Sequence, residues 1–326
     1  VVGQSFAGHG FDGTLEPSTC VRIFTGAPVP NGADHVIIQE LVDFNRNFAS
    51  IKEQPLGPPF IRKRASDFAR RSEILAKGNI LDARALVAAA GGDIGLVEVF
   101  RRPRLRVVST GDELVEPGRA SETGGAVPDS VSLGIAALAE EYGAICIERL
   151  RFGDDLELIQ SAATAALESA DVVVLAGGAS VGEKDFAKEM FVPLGLQLLF
   201  SKVSIKPGKP AWFGTVRDRL IVGVPGNPTS ALVTARLILA PLLALMQGRD
   251  IGHTLDWRLA PLAAPLPPSG DRETFHRGFI RDGKVEILRS DDSSAQKLLA
   301  KASILVRQRP HSPALEKGMV VDVLDF

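Results

Sequence analysis

The run Val172-Val173-Val174-Leu175-Ala176, followed at once by Gly177-Gly178-Ala179-Ser180-Val181-Gly182, decides how the chain is read. Five apolar residues without alternation describe a strand buried on both faces, the habit of a parallel sheet. The glycines behind it describe backbone that can approach a ligand closely at a strand end. Working outward, apolar runs predict further strands over 105–109, 145–150 and 220–224. Helical spacing predicts helices over 132–142, 156–168 and 229–246. Strands and helices that alternate in this way imply parallel βαβ units, hence a doubly wound α/β domain. Ligands of such a sheet bind outside the carboxyl ends of the strands.

The flanks differ in character. Residues 1–62 hold short β-branched runs, with strands expected at Val21-Arg22-Ile23-Phe24 and His35-Val36-Ile37-Ile38-Gln39 between prolines and glycines, as in a small β domain. A helical stretch over 83–90 meets Gly91-Gly92, and Arg101-Arg102-Pro103-Arg104 reads as a solvated connector. Residues 254–326 return to β character, with Asp282-Gly283 as a hairpin turn between Phe279-Ile280 and Val285-Glu286-Ile287. The 326 residues predict two or three domains at about 150 residues each.

Composition narrows the function classes. Lys plus Arg (37) nearly balances Asp plus Glu (39), so the net charge of −2 gives no global field for nucleic acid or an anionic membrane. Cys20 and Cys146 form no ligand spacing and read as two buried thiols in a reducing compartment. Five scattered histidines disfavour a His-built metal centre. Val1-Val2-Gly3-Gln4 has neither a basic start nor an apolar run, which argues against a signal peptide, and the missing initiator Met reads as a fragment of a longer protein. The apolar stretch 231–246 carries Arg236 and Pro241 and reads as a buried helix of a cytoplasmic protein.

Chemistry gathers in the expected strand-end loops: Thr110-Gly111-Asp112-Glu113-Leu114, the Gly177 to Gly182 loop with Glu183 and Asp185, and Pro225-Gly226-Asn227-Pro228 at a helix start. Glycine backbones and helix N-termini at one sheet edge would make an anion-binding cleft, although each loop alone is equally compatible with plain turn chemistry. The middle loop has P-loop spacing, but Glu183 stands where lysine is required. Gly178-Ala179-Ser180-Val181-Gly182 also matches a nucleophile elbow, yet His253 and His276 lie beyond the α/β segment and no HGGG-type loop is present. Lys206-Pro207-Gly208-Lys209-Pro210 offers two ammonium groups to a tetrahedral oxyanion or phosphate, or is a surface turn. Asp112, Glu113, Asp129, Asp154 and Asp185 are candidates to hold Mg²⁺ beside substrate oxygens, or to cap helices.

Those motifs, with Thr25-Gly26-Ala27-Pro28-Val29-Pro30, occur co-linearly, and together they resemble the MoeA family of molybdopterin molybdenumtransferases and its gephyrin E-domain relatives. The resemblance runs over the whole chain. It implies a small β domain at 1–62, the remainder of an N-terminal dimerisation domain at 63–102, a molybdopterin-binding α/β domain at 103–250 and a C-terminal β-barrel at 251–326. It also implies a segment of that dimerisation domain preceding Val1. The implied activity is insertion of molybdate into adenylylated molybdopterin with Mg²⁺-dependent release of AMP. The implied assembly is a cytoplasmic homodimer, with a molybdopterin adenylyltransferase as its functional partner. Carried onto this sequence, the catalytic positions are Glu113, Asp154, Asp185, Lys206 and Lys209, the three carboxylates also being the metal candidates. The substrate-binding positions are Thr25, Arg62, Asp67, Thr110, Gly111, Asp112, Asp129, Gly177, Gly178, Ser180, Gly182, Pro225, Gly226, Asn227 and Pro228.

Two motifs depart from the family pattern. Ala65-Ser66-Asp67 stands for Gly-Glu-Asp, and Asp129-Ser130-Val131-Ser132 lacks the usual Asn and Arg. Those losses leave two alternatives beside the transferase: a molybdopterin-binding carrier or scaffold without turnover, and an adenylyltransferase or CinA-like activity of the same α/β domain. Molybdate and tungstate, both tetrahedral dianions, are not separated by these residues.

Overall fold

The computed structural model describes residues 1–53, 57–153, 155–177, 186–288 and 296–326. They form two compact units, Val1–Ile74 and Leu75–Phe326.

In the first unit β1 (Gly3–Ser5) pairs in parallel with β2 (Val21–Ile23), and β3 (Val42–Asn45) forms a hairpin with β4 (Phe48–Ile51). The strand expected at 35–39 is absent. Val36 N–H donates to Pro59 C=O (3.0 Å), and Gln39–Leu41 is a 3-10 turn. Pro58 and Pro59 have no N–H to return, so the ladder ends after that single bond.

The second unit opens with α1 (Ala83–Gly91), capped by Asp82, whose carboxylate accepts from the N–H groups of Arg84 and Ala85. Its main sheet contains β5 (Arg104–Thr110), with a small parallel pair β6 (Leu114–Val115) and β7 (Val127–Pro128) behind it. After α2 (Ser130–Glu141), β8 (Ile145–Phe152), α3 (Leu156–Ser169) and β9 (Val172–Ala176) come α4 (Phe186–Glu189), β10 (Gln197–Ser201) and β11 (Ile205–Lys206). β12 (Trp212–Val216), β13 (Arg219–Val224) and the helix Pro228–Met246 complete the layer. The helix consists of α5 (Pro228–Thr234), a π turn (Ala235–Leu239) and α6 (Ala240–Met246). It is long and apolar enough to cross a membrane, but 67% of it is buried, as in a core helix.

The strand order is β10-β12-β13-β9-β5-β8. β13, β9, β5 and β8 are parallel, as the apolar runs predict. β10 and β12 are antiparallel, so the sheet is mixed. Only Arg217 and Asp218 separate β12 from β13, far fewer than the dozen or more residues a parallel crossover needs, and a hairpin results. β9 is buried throughout. Val172, Val174 and Ala176 pack with Ile135, Ala231 and Leu239 from α2 and the long helix, whereas Val173 and Leu175 pack with Ile159, Ala163 and Ala166 of α3. Helices on both faces make the layer doubly wound.

The amino edge of this sheet is held by one carboxylate. Asp171, 12% exposed, accepts two bonds from Arg101 (2.7 and 2.8 Å) and one from the Arg104 N–H (2.7 Å), and it pairs with Arg219 at 3.4 Å. The connector expected to be merely solvated is thus tied down, and Arg102 adds bonds to the carbonyls of Gly143 and Ala144. The Arg101 hydrogen bond is the largest cause holding Asp171 below the usual carboxylate range. The folded-state value is depressed, so the stabilisation is intact at neutral pH and is lost as pH falls below the ordinary carboxylate value through that of Asp171. Asp171→Asn is expected to cost about 2 kcal/mol at pH 7 and to flatten the acid limb of stability against pH. Urea unfolding at pH 7 and at about pH 3, below the ordinary carboxylate value, checks it; an equal loss at both values would contradict the assignment.

Beyond α7 (Ile251–Thr254) lie β14 (Arg258–Pro261), β15 (Glu273–Arg281), β16 (Lys284–Ile287), α8 (Gln296–Leu299), β17 (Ile304–Gln308) and β18 (Val320–Asp325). Asp282-Gly283 forms the expected hairpin turn. β16-β15-β17-β18-β14 run antiparallel in sequence, and Leu262, just past β14, bridges back to Val285 of β16. Ala260, Leu262, Leu266, Val285, Val306, Val321 and Val323 fill the enclosed side. Arg236, buried in the π turn, joins the two layers through the carbonyls of Asp325 and Thr254.

Candidate functional site at the carboxyl edge

Three strand ends meet backbone to backbone. Gly177 N–H donates to Val224 C=O (3.3 Å). A Cβ on Gly177 (φ +100°) would come 3.0 Å from Thr110 O, and one on Gly226 would come 3.4 Å from Gly177 Cα. Thr110, Gly177 and Gly226 are therefore neighbours in a seam lined by main chain. On the β8 side Gly111 N–H donates to Phe152 C=O (3.1 Å), and a Cβ on Gly153 would lie 2.7 Å from Asp112 Oδ1. Glu113 folds back over Gly111, whose φ is +148°.

The basic loop arrives at the same edge. Trp212, first in β12, lies opposite Gly223 near the end of β13, so the chain entering β12 does so at the carboxyl side. The loop is narrow: Lys202 N–H donates to Ala211 C=O and Val203 N–H to Lys209 C=O, both at 2.9 Å. Gly208 (φ +121°) presses on the buried Thr234, where a Cβ would sit 2.7 Å from Oγ1. Lys206 and Lys209 are exposed, and among the described residues neither is in an ion pair. Sequence reading missed Lys202, also exposed, with φ +77°. The signal was present: Lys202 stands four residues before Lys206 at the entrance to the same loop.

The long helix opens here. Asn227 is its N-cap, accepting from Ser230 N–H (3.2 Å), and Pro228 occupies the first turn. Pro225 is buried. Arg277 of β15, buried, donates to Thr229 Oγ1 (3.2 Å) and brings a guanidinium to that first turn. No local pattern could have found Arg277, because its placement depends on how a distant sheet docks.

Asp129 is buried as the N-cap of α2, accepting from the N–H (3.1 Å) and the hydroxyl (2.7 Å) of Ser132. Val131 points into the core at 7% exposure. Arg149 donates to Ser132 Oγ (3.2 Å), and Glu116 links Arg149 to Arg151. Thr25, Arg62 and Asp67 are exposed in the first unit, with Ala65 in left-handed backbone (φ +63°). Asp154, Gly178, Ser180, Gly182 and Asp185 lie outside the described residues.

Among the described residues no three His, Cys, Asp or Glu side chains gather as a metal site. Asp112 and Glu113 nevertheless supply hard oxygen donors of the kind Mg²⁺ takes. Cys20 and Cys146 are free thiols, half-buried and not fully buried as expected; burial pushes the Cys146 thiol up.

A doubly wound layer with glycine seams, two helix starts and a basic loop at one edge is a cofactor-binding α/β domain. Residues 106–245 match the family model described as a probable molybdopterin binding domain, and residues 2–92 match the MoeA N-terminal region (domain I and II). A molybdopterin molybdenumtransferase from Haemophilus influenzae is 35% identical over 296 residues, covering 88% of this chain and 72% of the relative. One from a Nostoc species is 32% identical, covering 90% and 68%. A molybdopterin biosynthesis MoeA protein from Pyrococcus horikoshii superposes with a TM-score of 0.79 at 27% identity, covering the whole chain and 80% of that structure. The chain belongs to the MoeA family of molybdopterin molybdenumtransferases.

Proposed function

We infer that the protein is a molybdopterin molybdenumtransferase of molybdenum cofactor biosynthesis, with molybdopterin and molybdate as substrates. The observation that carries this reading is the convergence of the Thr110, Gly177, Gly226 and Lys206–Lys209 loops on one sheet edge. Two thiolates must approach a dianionic oxyanion, and Lys206 and Lys209, aided by Lys202, offset that repulsion as fixed positive charges. Gly177 with Gly178, Ser180 and Gly182 cradles the pterin and its phosphate. Thr110, Gly111 and Asp112 face it from β5, and Pro225, Gly226, Asn227 and Pro228 from the helix start. Asp129 shapes the neighbouring helix start through its cap. Thr25, Arg62 and Asp67 are substrate-binding positions on the strength of the family resemblance alone.

In this reading the substrate is adenylylated, and water cleaves its phosphoanhydride so that AMP leaves and the phosphate stays on the pterin. Glu113, Asp154 and Asp185 would hold Mg²⁺, which supplies charge neutralisation on the phosphates. The domain boundaries stay at 62, 102 and 250, and the bridge from Leu262 to Val285 supports a terminal barrel. Exposed Leu86, Val87, Leu96 and Val99 support a homodimer formed through the 63–102 segment. Free thiols and a buried apolar helix support a cytoplasmic location, with an adenylyltransferase upstream. The near-neutral charge supports the expectation of no nucleic-acid or membrane partner.

The test is AMP release from adenylylated molybdopterin with Mg²⁺, with and without molybdate. Release that depends on molybdate is the expected result. Tight pterin binding without release would favour the carrier.

A further inference from the structure

β8 is the edge strand beside β5, and its carboxyl half carries two arginines on one face. Arg149 lies opposite Val107, and Arg151 opposite Ser109, one residue short of Thr110. Val107 packs with Val131 and Ile135 of α2, so both arginines stand on the α2 side of the sheet, near the edge where the loops meet.

One carboxylate yokes them. Glu116 Oε1 accepts from Arg149 (3.1 Å) and Glu116 Oε2 from Arg151 (3.2 Å). Glu116 directly follows β6 and Asp129 directly follows β7, and the Asp129 N–H donates to Val115 C=O (2.8 Å), so the small parallel pair brings Glu116 to the start of α2. That helix opens with Ser130-Val131-Ser132 and brings no charge of its own. The two arginine side chains are 28% and 27% exposed. Both terminal nitrogens of Arg149 are engaged, one of them on Ser132 Oγ. Among the described residues Nε and the second terminal nitrogen of Arg151 have no partner. Glu116 spends two of about four lone-pair sites on the arginines. A half-exposed network of this kind returns little stability for the side-chain entropy that it costs.

The lysine loop enters at β12, four strand steps from β8 in the order β12-β13-β9-β5-β8, or about 19 Å at ordinary strand spacing. Thr110, Gly177 and Gly226 belong to the strand ends between them. The seam is therefore bracketed by lysines at one end and by an arginine–carboxylate pair at the other.

We propose that Arg151, braced by Glu116 and Arg149, is a specificity-determining residue that reads the pyrimidinone edge of the pterin. Molybdopterin carries its two sulfurs at one end of a fused ring system and the pyrimidinone at the other. A ligand with its sulfurs at the lysines extends its rings toward β8. The pyrimidinone edge sets a carbonyl acceptor beside ring and amino N–H donors. Arg151 donates to the carbonyl, and the remaining lone pairs of Glu116 accept from the N–H groups. The guanidinium suits this task because its fork is planar, where an ammonium offers a point charge. The proposal rests on the reading that molybdopterin is the substrate, and it adds the residue that decides which way round the ring lies.

The experiment titrates 6-hydroxymethylpterin and its 4-amino analogue into the full chain by calorimetry at neutral pH, where both rings are uncharged. The analogue replaces the carbonyl acceptor with a donor that would face the guanidinium. Wild type should prefer the pterin by at least about tenfold, and Arg151→Gln should reduce that preference to less than about threefold. Its thermal midpoint should stay at the wild-type value, because the side chain fills no core. Arg151→Lys should keep an intermediate preference. A preference unmoved by Arg151→Gln, equal losses for both ligands, or wild type that binds neither at millimolar concentration overturns the proposal. Failure of the functional reading is separable. Wild type that prefers the pterin yet releases no AMP with molybdate removes the transferase and leaves the edge assignment standing. Wild type that releases AMP, with a preference that survives Arg151→Gln, removes the assignment alone.

Discussion

Lys206→Ala is expected to lower molybdate-dependent AMP release by about 100-fold or more, with stability unchanged to within about 0.5 kcal/mol. The side chain is exposed, and Lys206 enters β11 through its backbone alone, so truncation removes charge without opening a core. Lys209→Ala should behave alike, because both ammonium groups rise from one loop whose ends are closed by main-chain bonds. The loss should appear in the dependence on molybdate concentration and leave pterin binding near its wild-type level. Both variants retaining wild-type molybdate dependence would remove the lysines from the mechanism.

Gly223→Ala is expected to destabilise the protein by about 3 kcal/mol although it adds one methyl group. Gly223 lies opposite Trp212 in the β12–β13 ladder, and the Trp212 indole lies across it. A Cβ there would overlap Trp212 Nε1 and Cε2. Trp212 is 1% exposed and packs with Ile159, Phe191 and Ile221, so the ring has nowhere to go without opening that cluster. Denaturant unfolding followed by Trp fluorescence checks the prediction, since the chain has two tryptophans. Adding Trp212→Leu should recover part of the loss, because the two sites share one volume. A wild-type midpoint for the single variant would show that the indole can swing aside.

These two sites show where sequence was sufficient and where it was not. The buried run at Val172 and the loops behind 105–109, 172–176 and 220–224 were legible, because a strand covered on both faces must be apolar throughout and its carboxyl end must turn. The edge hairpin was not: Trp212-Phe213-Gly214-Thr215-Val216 carries no alternation that separates parallel from antiparallel pairing, and only the short link to Arg219 does. His35 to Gln39 has strand composition but lacks a partner able to donate, a property of Pro58 and Pro59 and not of the run itself. Within the site, residues fixed by local motif were visible, whereas Arg277 reaches the helix start from β15, far along the chain, only through tertiary packing.

β11 is two residues long, yet it pairs in parallel with Glu273 and Thr274 of β15 while the chain on its far side runs straight into β12. The Lys206–Lys209 loop is thus mounted like a bracket on two separate walls. Exchange of the terminal sheet between relatives would reset one of those walls, and with it the spacing of the lysines, without altering a residue of the loop. Divergence in β14 to β18, distant in sequence from the loop, is therefore a route by which the presentation of its two lysines can change while the loop itself does not.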